Sequence, residues 1–352
     1  MGVCSYCQVQ CEGKSCICGR VVYCHQSCQK KDWSRHSSNC PPYKVSHILG
    51  KGRGLVATRR IKAGEVVVEE NPLIVIEGHQ RQFKLSHEEF RSHFEKLDSN
   101  HQKKILDLYD PTTTDQCSLQ QADLPVKPDG DTSKNTSMKA FRIFSNNSIN
   151  VCEVAELQPR GEGGLYDKIS LLNHSCNPNS SWSWVLGNLR RKVVRAVRTI
   201  GKNEEIQVNY LDQQDFNFAS RQLRREKLLE EFYFICQCAE CSLDNEAFAS
   251  NERTREEIRG LTEDVQKLMS RYDKASTVSA LVSSQTIVRL TRYLRLDIEI
   301  PRMLLDCYQV ALAAQYLRIQ GAPSPGVFQD EALAYCQKYG DSFMYFYNSV
   351  VK

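Results

Sequence analysis

The sequence predicts an α+β protein: a β-rich barrel of short strands with a helical insert, an N-terminal zinc finger and an α-helical C-terminal domain. Three observations predict it. Eight of the sixteen cysteines crowd into the first 40 residues, a metal-organised start. Short apolar runs divided by Ala63-Gly64, Asn71-Pro72 and Gly187-Asn188 read as strands and turns without crossover helices. From Ile258 onward, apolar residues recur at helical spacing. The expected boundaries are 1–42 for the finger and 43–230 for the barrel, whose insert spans 81–140. Residues 231–244 form a second cysteine segment, and 245–352 the helical domain.

Composition narrows the function classes. Hydrophobic content of 41% and charged content of 25% are those of an ordinary globular chain. A net charge of +4 without a basic, aromatic stripe gives no expectation of direct nucleic-acid binding. No apolar run reaches the ~18 residues of a membrane span. Cys4 and Cys7 fall where a signal peptide would be apolar, and Tyr6 stands where myristoylation wants Ser or Thr. The expectation is an intracellular monomer, in cytoplasm and/or nucleus, with clustered cysteines that bind metal rather than pair as disulfides. The isolated Cys117, Cys152, Cys307 and Cys336 read as small buried hydrophobes.

In the finger, Cys4-x2-Cys7, Cys16-x-Cys18, Cys24-x3-Cys28 and His36-x3-Cys40 supply four pairs of soft ligands, enough for two tetrahedral zincs. Only Val21, Val22, Tyr23 and Trp33 are available to bury, so metal must supply the folding energy. The pattern from Tyr23-Cys24 through Asp32-Trp33 to His36 and Cys40 resembles the MYND zinc finger. The resemblance implies an interleaved arrangement: Cys4, Cys7, Cys24 and Cys28 on one zinc, Cys16, Cys18, His36 and Cys40 on the other. This sequence spaces its second pair by one residue where the family usually has two, so Cys11 is an alternative to Cys16. The family's fingers chiefly bind proteins, often proline-containing peptides. Lys30, Lys31 and Arg35 make the helix basic, as a solvated surface also would.

Pro41-Pro42 is a stiff linker. In Gly50-Lys51-Gly52-Arg53-Gly54, alternating glycines suit either a hairpin turn or a backbone that a ligand approaches closely. Strands are expected at Leu55–Ala57, Glu65–Glu69 and Leu73–Ile76. The order Gly-x-Gly-Arg-Gly-Leu, then Ile61-x2-Gly64-Glu65-Val66, resembles the opening of a SET domain. Ser86 caps a helix bearing Phe90, Phe94 and Leu97, and Ile105, Leu106 and Leu108 continue on a second. Asp123 to Ser137 reads as an exposed loop, and Phe141–Phe144 and Ile149–Val151 as strands.

The chemistry concentrates in 161–244. Asn173-His174-Ser175-Cys176-Asn177-Pro178-Asn179 suits a surface turn by composition, but the apolar Ile169–Leu172 delivers it to a buried place. A hairpin around Trp182, Trp184, Val193 and Val194 follows, then Glu204-Glu205-Ile206-x3-Tyr210 and an amphipathic helix from Arg221 to Phe232. Cys236-x-Cys238-x2-Cys241 offers three thiolates, and Cys176 is the natural fourth. Such a site is closed, with no position for catalytic water. Together these blocks resemble the SET and MYND lysine methyltransferases, in the branch whose finger precedes the SET domain.

The resemblance implies S-adenosylmethionine-dependent methylation of lysine on a histone or non-histone protein, with three zincs. Lys51, Gly52 and Arg53 would meet the methyl donor's carboxylate end, Asn173 its ammonium and the His174 backbone its adenine edge. Phe234 would stack on the adenine, or simply fill core, and Asn147 lies near the pocket. Tyr210 would lie at the donor and orient the amine for catalysis. Phe232 stands where the family often has a second tyrosine, a position that also sets how many methyl groups fit. An adaptor with an inactive core, recruiting partners in transcriptional regulation, is the rival reading. Helices around Leu261 to Leu268, from Ile300-Pro301 to Leu312, and from Glu331 to Val350 complete the chain, resembling a shortened form of the family's helical domain.

Overall fold

The computed structural model describes residues 2–16, 21–37, 40–77, 85–110, 136–152, 157, 161–211, 218–243 and 245–351. Cys18, Cys117 and nearly all of the expected loop from Asp123 to Ser137 lie outside the described residues.

The finger pairs β1 (Gly2–Val3) with β2 (Gln10–Cys11), and β3 (Lys14–Ser15) with β4 (Val22–Tyr23), beside helix α1 (Gln26–Ser37). On α1, Cys28, Asp32 and His36 recur every four residues and share one face. Tyr23 Oη donates to Asp32 at 2.7 Å. Trp33 falls off that face and is 48% exposed, so it is not the core residue the sequence suggested.

The barrel is assembled from small sheets. One runs β11 (Asn173–His174), β14 (Glu205–Val208), β6 (Gly52–Ala57), β5 (Tyr43–Ile48). A second runs β12 (Ser180–Val185), β13 (Asn188–Ala196), β7 (Val66–Glu70), and a third β8 (Ile74–Glu77), β10 (Glu162–Leu165), β9 (Ile149–Asn150). Their inward residues, such as Leu55, Ile74, Val194 and Ile206, share one core with Phe90, Phe94, Phe141 and Phe144 of the insert.

The insert contains α2 (His87–Phe94), α3 (Ser99–Leu106) and α4 (Thr136–Asn147). Ser86 caps α2 as expected, its hydroxyl accepting from the Glu89 N–H while the Glu89 carboxylate accepts from the Ser86 N–H. Phe141–Phe144 lies in helix α4, not in a strand. Residues 140–144 are all buried, Arg142 among them, and a short buried run of this kind reads as readily as a strand.

After α5 (Arg221–Phe232) come α6 (Asn245–Met269), α7 (Lys274–Tyr293), α8 (Ile300–Tyr316), α9 (Pro325–Tyr339) and α10 (Asp341–Val351), sharing a second core. The helix expected from Glu331 to Val350 is two, because Gly340 adopts φ +112° between them. Helix α7, unassigned from the sequence, packs against both α6 and α8. No helix among the described residues is long and apolar enough to cross a membrane.

Candidate active site

The run from Asn173 to Asn179 is no surface turn. Five of its seven residues are buried, and Asn173 and Asn177 are half-buried. It opens as β11, which pairs in parallel with β14, setting Asn173 opposite Gln207 and His174 opposite Val208. That register brings Tyr210, two residues beyond β14, beside His174.

Each member of the run has a structural task. Asn173 Nδ2 donates to Glu205 Oε1 at 2.8 Å and to the Arg53 carbonyl at 3.3 Å. Among the described residues no donor reaches its Oδ1. The Tyr210 N–H donates to His174 Nδ1 at 3.0 Å. That bond leaves the ring proton on Nε2, which faces Cys176 Sγ at 3.3 Å. Burial pushes the His174 imidazolium pKa down to about 3, so the ring is neutral. Asn179 clamps β14, donating to the Glu205 carbonyl and accepting from the Gln207 N–H. Asn177 donates to the Leu294 carbonyl and accepts from Arg198, tying the run to the helical domain.

Tyr210 sits in an aromatic enclosure formed by His174, Trp182, Phe232 and Phe234, with ring centroids 5.1–6.4 Å from its own. Its hydroxyl donates to the Leu172 carbonyl at 2.5 Å. Burial, reinforced by the Glu205 carboxylate, pushes the phenol pKa up, so it stays protonated. Phe232, not Tyr233, is the residue that faces Tyr210. Tyr233 ends α5 in the left-handed conformation at φ 59°.

Lys51 Nζ pairs with Glu205 Oε2 at 2.7 Å, and Arg53 Nη1 with Asp107 Oδ2 at 2.8 Å. Arg53 therefore meets Asn173 through its carbonyl, while its guanidinium ties β6 to the insert. Asn147 ends α4 and spends its amide protons on the Tyr109 and Ile143 carbonyls. Gly52, at φ +74°, has nothing within 4 Å of where a Cβ would stand. At Gly54 a Cβ would lie 2.7 Å from Asn173 Nδ2, so only glycine leaves room for that amide. Asn173 Oδ1, unclaimed among the described residues, is an acceptor suited to an ammonium group.

The cysteines gather into three clusters. Cys4, Cys7, Cys24 and Cys28 form one, and Cys176, Cys236, Cys238 and Cys241 another, with ligand atoms within 4.8 Å of one another. Cys16, His36 and Cys40 form a third, while its expected fourth member, Cys18, is not among the described residues. Sulfur–sulfur separations of 3.4, 3.6 and 4.0 Å bracket the roughly 3.8 Å edge of a tetrahedron with ~2.3 Å zinc–sulfur bonds. The donor sets fit zinc. Cys11 is not in any cluster.

Helix α5 holds the last cluster. Arg225 donates to the Cys236 and Cys241 carbonyls, each at 3.0 Å, and Arg221 to those of Cys241 and Leu243. Arg224 is buried with Nη2 4.0 Å from Cys241 Sγ. The sequence motifs gave no site role to these arginines or to Glu205, although Glu205 stands inside Glu204-Glu205-Ile206-x3-Tyr210. Their spacing at 221, 224 and 225, one helical face ahead of a cysteine segment, was the available signal.

Residues 52–211 match the family model described as the SET domain. The chain carries a SET domain. The likeness to curated proteins extends beyond it. The chain is 28% identical over 263 residues to N-lysine methyltransferase SMYD2 of Homo sapiens, covering 74% of this chain and 54% of that protein. It is 28% identical over 237 residues to Histone-lysine N-methyltransferase ASHR1 of Arabidopsis thaliana, covering 65% and 44%. With Histone-lysine N-methyltransferase SMYD3 of Mus musculus it shares 27% over 306 residues, covering 82% and 63%. These relatives bear out the resemblance read from the sequence. The chain spans about half the length of the curated relatives it matches. Within the SET domain stand Gly52, Arg53, Asn147, Asn173, His174 and Tyr210. Lys51 immediately precedes it and Phe234 follows it.

Proposed function

We propose that the chain is an S-adenosylmethionine-dependent protein-lysine N-methyltransferase acting on histone or non-histone proteins in cytoplasm and/or nucleus. The observation that carries this reading is the parallel pairing of Asn173–His174 with Glu205–Val208, which puts an oriented amide and a neutral, aromatic-walled tyrosine in one place. When bound, the methyl donor supplies an electrophilic methyl group on a sulfonium. Asn173 Oδ1 receives its ammonium, the glycine-rich turn with Lys51, Gly52 and Arg53 receives its carboxylate end, and the His174 backbone and Phe234 receive the adenine. Asn147, whose amide protons go to Tyr109 and Ile143, would meet the donor only at the margin.

The substrate lysine, with pKa near ~10.4 in water, must shed a proton before it attacks. Walls of Trp182, Phe232 and Phe234 disfavour its charged form, which lowers that pKa. The Tyr210 hydroxyl already donates to the Leu172 carbonyl, so its lone pairs accept an N–H of the amine and turn the nitrogen lone pair toward the methyl carbon. Three zincs complete the protein: two in a finger at 1–42 that also offers a surface to proline-containing peptides, and one closing 231–244 onto Cys176. The SET region spans 43–230 and a helical domain 245–352.

Phe232 beside Tyr210 favours a second reading, a non-catalytic adaptor in which the finger recruits partners. Purified protein incubated with labelled S-adenosylmethionine, histones and cell extract tests both. Label transfer that Tyr210→Phe lowers about 100-fold is expected. Equal labelling by both proteins removes Tyr210 from catalysis, and failure to bind the donor by calorimetry leaves the adaptor.

A further inference from the structure

We propose that Glu205 is the positioning residue for the amino-acid end of the methyl donor, an inference that rests on reading Asn173 and Lys51 as that end's binding groups. Glu205 lies on β14, the strand between β11 and β6, so it stands where segments more than 30 and 150 positions away converge. Its side chain is 16% exposed. Oε1 accepts from Asn173 Nδ2 at 2.8 Å, while Oε2 accepts from Lys51 Nζ at 2.7 Å and Gln207 Nε2 at 3.0 Å.

A carboxylate is an acceptor only, and so is the Arg53 carbonyl that shares the Asn173 amide. Turning that amide over would set its oxygen against two acceptors. The arrangement therefore fixes Asn173 with Oδ1 pointing away from Glu205, the orientation an ammonium requires. The second carboxylate oxygen holds the Lys51 ammonium beside the turn. One partly buried anion thus sets out an acceptor and a cation, complementary to the ammonium and carboxylate of an α-amino acid, while touching neither. Gly54 fits this reading, because a Cβ there would lie 2.7 Å from Asn173 Nδ2 and 3.3 Å from Glu205 Oε1. Glu205→Gln would offer Asn173 a donor as well as an acceptor, so both amide orientations become comparable and Lys51 loses its ionic partner.

The test compares two nucleosides by calorimetric or competition binding to the full chain. S-adenosylhomocysteine carries the amino-acid end, and 5′-methylthioadenosine lacks it. Glu205→Gln is expected to weaken the first by about 10- to 100-fold, the loss of one or two charge-assisted bonds, and to leave the second unchanged within about twofold. Equal weakening of both would show a merely structural role, and no change in either would show no role; each overturns the proposal. Wild-type protein that binds neither nucleoside overturns instead the methyltransferase reading on which it stands. Should Glu205→Gln fail to fold, Glu205→Asp, which keeps the charge one methylene short, carries the same comparison: selective loss of S-adenosylhomocysteine supports the proposal, and parallel loss sinks it.

Discussion

Tyr210 joins a half-buried, neutral phenol to a main-chain carbonyl and four surrounding rings, so its substitution separates orientation from packing. Tyr210→Phe keeps the ring contacts and removes the hydroxyl. Single-turnover methylation should fall about 100-fold, the cost of a misaligned nucleophile, while S-adenosylhomocysteine affinity stays unchanged. Phe232 adds a second test, because its ring lies 5.1 Å from Tyr210. Phe232→Tyr adds a hydroxyl that competes for room with methyl groups on the substrate nitrogen. Mass spectrometry of the product should show a shift toward monomethylation, and an unchanged distribution would remove Phe232 from product control. Tyr210 and the clustered cysteines could be read from the sequence because their neighbours along the chain mark them. Glu205 could not be read that way: its hydrogen bonds to Lys51 and Asn173 exist only after distant segments meet.

At the scale of elements, helix α5 is what holds the last cysteine cluster in place. Arg225→Ala removes two charge-assisted bonds to the Cys236 and Cys241 carbonyls, each worth about 1.5–3 kcal/mol. Thermal unfolding of this variant should begin at lower temperature, and a chelator should strip its metal faster than it does from wild type. Chelation of the wild-type protein should release three zincs per chain by colorimetric assay. It should also disturb the near-ultraviolet signal of the rings around Tyr210, since Phe234 lies two residues before Cys236. The boundaries of α5 and the capped start of α2 were legible because polar faces and a capping serine mark them. Helix α4 was not, since Phe141, Ile143 and Phe144 are buried together with Arg142, and so short an apolar run does not separate helix from strand.

Across the whole molecule, the helical domain is fastened to the β12–β13 hairpin. Tyr339 donates to the Val197 carbonyl, Ser342 bonds Ser183, and the Leu186 N–H donates to Asp341. Gly340 makes that join possible: at φ +112° a Cβ would stand 3.2 Å from Ser183 Oγ and 3.4 Å from Arg195 Nε. Gly340→Ala should therefore lower stability by at least about 1 kcal/mol, read as a shift in the denaturation midpoint. The sequence marked a helical C-terminal domain but not this break, because a single glycine in a helical pattern is compatible with either continuation or a stop.

The parallel pairing of β11 with β14 also has a consequence for synthesis. A ribosome that has released Asn173 and His174 has made only one edge of the pocket. The strand that flanks them emerges some thirty residues later, and the cysteines that close over Tyr210 follow after a further helix. On the proposed function, no shorter nascent chain assembles the methyl donor's pocket as the finished one does. A chain short of Cys241 lacks the last member of the cysteine cluster that follows Phe234, so the walls around Tyr210 are complete only after residue 241 has emerged.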